Sequence, residues 1–149
     1  MAVLLRVRSR ALLSTAIAVS ALVLGSPVVT WFALPVEIRR QATVPELAMI
    51  LLTLGAIVVF LMGLGLSTVV ATEEGVTIRT GPIRHRYGWH EISDIRFQEG
   101  DPWAYVFTFR RDRDGDPERR MVMAIQAPDG DRARLNAARL QELWITHRP

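Results

Sequence analysis

Residues 74–95 have the sequence EGVTIRTGPIRHRYGWHEISDI, and the order of apolar and polar residues in this stretch decides the fold of the domain around it. Val76 and Ile78 alternate with polar residues, and the alternation resumes after Gly81-Pro82. A period of two interrupted by a Gly-Pro pair predicts two antiparallel strands joined by a tight turn.

Downstream of this stretch the chain continues with short strands and ends in a helix. Residues 103–109 alternate aromatic with smaller side chains, residues 112–118 form a polar hairpin tip, and a further short strand follows. From Asp131 the apolar residues follow a helical spacing. The sequence therefore predicts a mostly β domain that a C-terminal helix completes.

Upstream lie two long segments without any charged residue, residues 11–36 and 47–72. Each exceeds the roughly 20 residues that a helix needs to cross about 30 Å of hydrocarbon. We predict a transmembrane hairpin that anchors the β domain. The predicted boundaries are a basic cytoplasmic tail (1–10), transmembrane helix 1 (11–34), an external link (35–46), transmembrane helix 2 (47–68) and a cytoplasmic domain (69–149).

The arginines near the two spans predict their orientation. Three precede the first span, two lie in the link and three follow the second span, which favours both termini in the cytoplasm of a multi-pass cell membrane protein. A signal peptide ending near Gly25 is the alternative interpretation of the start of the chain, but no Ala-x-Ala site follows it. Either interpretation leaves the C-terminal domain in the cytoplasm.

Composition excludes several classes of function. The 149 residues contain no Cys, so disulfides, thiol catalysis and thiolate metal sites are ruled out, and the three His show no metal-ligand spacing. We expect no cofactor and no metal. The net charge of +3 lies on the anchor, because residues 73–149 carry equal numbers of basic and acidic residues. Nucleic acid is therefore not an expected partner.

The order of strands and helix is typical of a pleckstrin-homology (PH)-like barrel of about six to seven antiparallel strands capped by a C-terminal helix. Glu74 to Arg79, followed by Trp89 to Ile95, resembles the bacterial PH domain family found after paired transmembrane helices in actinobacterial membrane proteins. The resemblance covers roughly residues 69–145 and rests on structural residues, namely Gly75, Trp89 and Ile92. It implies a fold and no particular ligand. Basic residues around the first strand turn bind phosphoinositides in many eukaryotic PH domains, whereas Glu73-Glu74-Gly75 is acidic here.

Two sets of residues are candidates for contact with other molecules. A basic patch beside the membrane is a candidate for lipid headgroups or a partner, although a solvated strand face obeying the positive-inside rule is the simpler interpretation; its residues are Arg79, Arg84, His85 and Arg86. Small residues one helical turn apart allow close packing within the hairpin or, alternatively, a homo-oligomer; these are Ala16 with Ser20 and Gly63 with Ser67.

No pattern for catalysis is present in the sequence, so we expect a protein that is not an enzyme. The leading hypothesis is a membrane-anchored binding or scaffolding module whose partners are the lipid bilayer and a protein of unknown identity. The alternative is an accessory subunit that docks on a larger membrane complex through its transmembrane hairpin.

Overall fold

The computed structural model of the protein describes residues 2–149. Two long helices, two antiparallel sheets and a C-terminal helix make up most of the chain. The helices are α1 (Arg10–Ala33), α2 (Val36–Gln41), α3 (Val44–Gly65) and α4 (Asp131–His147). The strands are β1 (Val3–Arg8), β2 (Thr68–Thr72), β3 (Gly75–Thr80), β4 (Ile83–Gly88), β5 (Ile92–Arg96), β6 (Trp103–Arg111) and β7 (Pro117–Gln126). Single 3-10 turns, Trp89–Glu91 and Ala127–Asp129, precede β5 and α4.

The helices α1 and α3 form the predicted hairpin, with the short α2 in the link between them. Both are long and apolar enough to cross a membrane. With 22 residues, α3 is about 33 Å long, close to the ~30 Å of a bilayer's hydrocarbon core. Large apolar side chains on α3 are exposed, including Leu52 at 75% and Phe60 at 64%. Because water would solvate such a surface poorly, the helices mark a membrane protein.

Both helices begin before their predicted starts, α1 at Arg10 and α3 at Val44, because polar side chains cap their N-termini; they also end earlier than predicted, at Ala33 and Gly65. Ser9 Oγ accepts a hydrogen bond from the Leu12 N–H at 3.0 Å, and α1 therefore begins at Arg10. The carboxylate of Glu46 accepts a bond from the Thr43 N–H at 2.9 Å. Its negative charge is favourable at a helix N-terminus, so the helix starts before the uncharged segment.

The prediction of a basic tail over residues 1–10 is wrong for most of its length. Residues Val3–Arg8 form β1, which pairs antiparallel with β2; Met1 lies outside the described residues. The reason is a period of two in the tail itself: Val7 is buried at 5% exposure, whereas Arg6 and Arg8 on either side are exposed. The hairpin is thus inserted between the first two strands of the domain.

The strands form two antiparallel sheets, β1-β2-β3-β4 and β5-β6-β7. In the first sheet Val69 is opposite Ile78, and both are buried. In the second sheet the buried face consists of the smaller side chains of β6, such as Val106, and of Val122 on β7. The inner faces of both sheets contribute to one hydrophobic core.

The last helix, α4, covers this core. Its buried residues have the predicted helical spacing: Ala133, Ala137, Leu140 and Trp144. The indole N–H of Trp144 donates a hydrogen bond to the Ile92 carbonyl at 3.1 Å, which ties the helix to β5. The predicted fold is confirmed, with six strands after the hairpin, a seventh before it and a C-terminal helix, an architecture consistent with a PH-like barrel.

The hairpin is attached directly to the domain at three places. β1 leads into α1 through Ser9, and α3 is followed almost at once by β2. The third contact comes from Asp129, whose Oδ1 accepts a hydrogen bond from the Ala11 N–H at 3.0 Å. Since Asp129 lies just before α4, one hydrogen bond joins the start of α1 to the C-terminal part of the domain.

Candidate functional site

The register of the four-stranded sheet places arginines side by side on its outer face. Across β1, β2, β3 and β4, the row nearest the hairpin is Arg8, Thr68, Arg79 and Arg84. The next row, about 7 Å further along the strands, is Arg6, Val70, Thr77 and Arg86. We call the five residues Arg6, Arg8, Arg79, Arg84 and Arg86 the arginine face; all five are exposed.

The first row lies next to the membrane hairpin. β1 ends at Arg8, two residues before α1, and β2 begins at Thr68, three residues after α3. The β3–β4 turn contacts the last turn of α3, since a Cβ built on Gly81 would lie 3.8 Å from the backbone of Gly63. Arg79 and Arg84 flank this turn, so they are at the membrane end of the sheet.

The charges of the arginine face are only partly neutralised within the protein. Arg86 forms an ion pair of 2.6 Å with Glu74. The other ion pairs of residues 2–149 involve Arg96, Arg110 and Arg120 in the rest of the domain. Arg6, Arg8, Arg79 and Arg84 thus have no carboxylate partner within the described residues.

Arg79 and Arg84 are directly opposite each other in the β3–β4 pair. Like charges at such positions destabilise a sheet, because the side chains are on the same face and only about 5 Å apart at Cβ. The Nε of Arg79 donates a hydrogen bond to the Gly81 carbonyl at 3.2 Å, which leaves its terminal nitrogens available. The two guanidinium groups thus form a positively charged pair at the turn.

The acidic turn Glu73-Glu74-Gly75 is at the opposite end of the sheet. The sequence predicts it as the first strand turn, but β1 makes it the connection between the second and third strands. The first connection of this sheet is the membrane hairpin itself. One end of the outer surface is therefore basic and close to the hairpin, and the other is acidic and distant from it.

Of the four residues predicted for the basic patch, the structure brings three together and separates His85 from them. Arg79, Arg84 and Arg86 share the outer face, whereas His85 is opposite Ile78 on the inner side and stacks on Tyr87 at 6.3 Å. Sequence reasoning missed Arg6 and Arg8, which β1 adds to the face. The alternation of apolar and polar residues over Leu5–Arg8 is the sequence signal for them.

The three signature residues are all in the folded core. Trp89 is 4% exposed, donates its indole N–H to the Thr72 carbonyl at 3.0 Å and stacks on His147 at 5.5 Å. Ile92 is 2% exposed. Gly75 is the first residue of β3 rather than part of the turn: a Cβ there would lie 2.0 Å from the Tyr87 carbonyl oxygen. The backbone of β4 approaches so closely that only a residue without a side chain fits at this position.

The two predicted pairs of small residues lie in different surroundings. Ala16 and Ser20 are buried, and Ala16 lies against Gly65 of α3, where an added Cβ would approach it to 2.8 Å. Gly63 instead lies against the β3–β4 turn. Ser67 is outside the helix and donates its hydroxyl to the Leu64 carbonyl at 2.6 Å.

Elsewhere the described residues hold shallow clefts and no cluster suited to a metal ion. One cleft of about 370 Å³ lies between the end of α4 and the start of β5; its lining includes Trp89, His90, Phe109, Trp144 and Arg148. No group of three or more His, Asp or Glu among residues 2–149 could hold a metal. The Gly88 backbone N–H, and less strongly Arg110, lower the pKa of Glu91 below its ordinary value of 4.5.

The fold and the position of the arginine face define a class: a membrane-anchored protein with a small, helix-capped β domain. Residues 67–143, just over half of the chain, match the family model described as Bacterial PH domain. The chain belongs to this bacterial PH domain family. The matched region begins after the hairpin and so omits β1. No curated protein and no solved structure matches the chain.

Proposed function

We propose that the protein is a non-enzymatic binding module, anchored in the cell membrane, that holds a protein partner at the cytoplasmic surface. The observation that carries this proposal is the double attachment of the PH-like domain, through β1 to α1 and through β2 to α3. Two short connections restrict rotation of the domain relative to the membrane far more than one flexible linker would. Such a domain presents the same surfaces to its surroundings at all times.

The distribution of arginine supports a cytoplasmic position. Because β1 pairs with β2, a hairpin that spans the bilayer would leave the N-terminal strand and the domain on one side of it. That side carries all five residues of the arginine face and Arg10, whereas the link carries Arg39 and Arg40. The positive-inside rule assigns the more basic side to the cytoplasm.

The ionisable groups support a binding role rather than catalysis. Active sites gather groups with shifted pKa values in a cleft. In this domain the lowered pKa of Glu91 follows from its bond to the Gly88 N–H at the start of a 3-10 turn and from its ion pair with Arg110. These are structural contacts on the domain surface.

Site-specific photo-crosslinking in intact cells tests this function. The full chain would carry a photoreactive residue either on the domain, at Phe109 or Leu135, or on α3, at Leu52 or Phe60. All four side chains are at least half exposed. We expect crosslinks to one and the same protein from the domain positions.

Crosslinks to a protein from the α3 positions alone would contradict the binding-module function. They would favour the accessory subunit that docks through its hairpin. An absence of protein crosslinks from Phe109 and Leu135, with the chain present in the membrane, would likewise count against a domain that holds a partner.

A further inference from the structure

We propose that the arginine face binds the phosphate groups of anionic phospholipids in the leaflet next to the domain, with Arg8, Arg79 and Arg84 as the main contacts. This inference rests on the proposed function in one respect, that the domain is held at the cytoplasmic membrane surface. It adds a second ligand, the lipid itself, at a surface distinct from the positions chosen for a protein partner.

The first argument is the arrangement of charge. Arg79 and Arg84 are directly opposite each other, an arrangement that weakens a sheet unless an anion lies between or above them. Arg8 is in the same row on β1, two strands from Arg79, with Thr68 of β2 between them. None of the three has a carboxylate partner among residues 2–149. A phosphate group would supply the missing negative charge.

The second argument is position. An α3 helix of about 33 Å ends close to the boundary between hydrocarbon and headgroups if it spans the bilayer without much tilt. Gly63 is in its last turn and lies against the β3–β4 turn that Arg79 and Arg84 flank. These two arginines are therefore at the depth of lipid phosphates or just above it.

The third argument is the chemistry of the side chains. A guanidinium group binds phosphate through two parallel hydrogen bonds, which an ammonium group cannot do. The Nε of Arg79 is occupied by the Gly81 carbonyl, and its terminal nitrogens remain free to bind a phosphate. The positive-inside rule explains why basic residues occur near the spans, but it does not require two of them to be opposite each other.

Native mass spectrometry of the full chain in mild detergent tests the inference. The probes are phosphatidylglycerol and phosphatidylcholine with identical acyl chains, titrated against the protein. We expect phosphatidylglycerol to bind more tightly, and R79Q/R84Q to weaken its binding by about fivefold for each arginine removed. The affinity of the unchanged protein for phosphatidylglycerol should fall as salt is added.

The matched control is R113Q/R139Q, which removes the same charge from the hairpin tip and from the exposed side of α4. This control should bind phosphatidylglycerol as the unchanged protein does. Thermal unfolding of R79Q/R84Q in the same detergent should occur at a temperature higher by about 1 to 5 °C, since the like-charge pair is removed. Weaker lipid binding in a more stable protein would exclude misfolding as the cause.

Three results would overturn the inference. They are equal retention of the two lipids by the unchanged protein, unchanged phosphatidylglycerol binding in R79Q/R84Q, and an equal loss of binding in R113Q/R139Q. If any of these results occurs while Phe109 and Leu135 still crosslink to a protein, the proposed lipid site is rejected and the proposed protein-binding function is retained. Loss of those crosslinks with normal lipid selectivity would reject the protein-binding module alone.

Discussion

The arginines of the two sheets differ in how many of them contact a carboxylate. In the second sheet each strand arginine has a partner: Arg96 pairs with Asp94, Arg110 with Glu91 and Arg120 with Glu118, Arg119 lies over the ring of Tyr105, and Arg111 donates to the Gly115 carbonyl. In the first sheet only Arg86 has a carboxylate partner within residues 2–149. Three of the five strand arginines of the second sheet are thus paired with a carboxylate, against one of five in the first sheet within the described residues.

This difference follows from where each sheet lies in the chain. β1 and β2 flank the hairpin, so their residues nearest the helices meet the membrane surface. On the proposed cytoplasmic side, carboxylates placed there would face an anionic leaflet, which is unfavourable. The acidic residues of the first sheet lie in its distant turn instead. Four tests would break or sharpen the comparison, and they follow in order of decreasing effect.

The largest effect is expected at Trp89, which joins the two sheets. Its indole N–H bonds to Thr72 of the first sheet, and the residue lies three positions before β5 of the second. Trp89→Ala should lower the free energy of unfolding by about 3 to 5 kcal/mol, because it removes a large buried side chain. Urea denaturation of the full chain in detergent measures this. Trp103→Phe is the control, since the Trp103 indole N–H has no hydrogen-bond partner among residues 2–149 and its loss should cost little. Equal effects would show that Trp89 does not join the sheets.

The next effect is expected at Gly75 in the first sheet. A Cβ at this position would collide with the Tyr87 carbonyl oxygen of β4. We expect Gly75→Ala to cost about 2 to 4 kcal/mol of stability through a shift of backbone, in the range of other severe core changes. Gly115→Ala in the hairpin of the second sheet is the matched control, because Gly115 has a φ of 84° but open space around it. Its cost should be limited to about 1 kcal/mol of backbone strain, and a larger cost there would contradict the steric explanation.

A third substitution tests whether β1 is paired in the first sheet when the full chain is membrane-bound. Val7→Thr keeps the shape of the side chain but buries a hydroxyl group in the core, at an expected cost of about 1 to 3 kcal/mol. Val3→Thr, on the same strand but 58% exposed, should change stability by less than about 0.5 kcal/mol. Limited proteolysis of the membrane-bound chain would compare the two variants. Equal protease resistance would mean that residues 3–8 form a tail after all.

The smallest effect concerns the arginines themselves. Arg120→Gln removes a hydrogen bond to the Tyr87 hydroxyl and an ion pair with Glu118, and should destabilise the domain by about 1 kcal/mol. Arg84→Gln removes a like charge opposite Arg79, and should stabilise it by about 0.2 to 1 kcal/mol. Thermal unfolding in detergent compares them. If both variants changed the stability of the domain in the same direction, the proposed difference between the two sheets would be contradicted.

Much of the fold could be predicted from the sequence, and the candidate site only in part. The uncharged segments predicted both membrane helices, and the Gly81-Pro82 turn predicted the β3–β4 pair. Three of the five arginines on the arginine face were identified because they lie on that pair. The other two, Arg6 and Arg8, were missed because a short strand before a membrane helix has no neighbouring strand in the sequence to suggest pairing.

The buried face of β6 also could not be predicted from the sequence. Residues 103–109 separate clearly into an aromatic face and a face of smaller side chains. The sequence pattern does not indicate which of the two faces packs in the core, and large aromatic residues are often buried. The structure buries Ala104, Val106 and Thr108 and leaves Phe109 72% exposed. The tightly spaced inner faces of two small sheets leave little room for four aromatic rings on one strand.

The sequence by itself determined the membrane hairpin, the β3–β4 pair and the buried side of α4, because each depends on a local property: the length of an apolar segment, a period of two or a period of 3.6 residues. Only the tertiary structure decided that Val3–Arg8 pairs with β2 across the whole hairpin, and that Arg8 therefore shares a row with Arg79 and Arg84. Strand pairing over such a separation depends on the register of residues that meet only when the chain is folded.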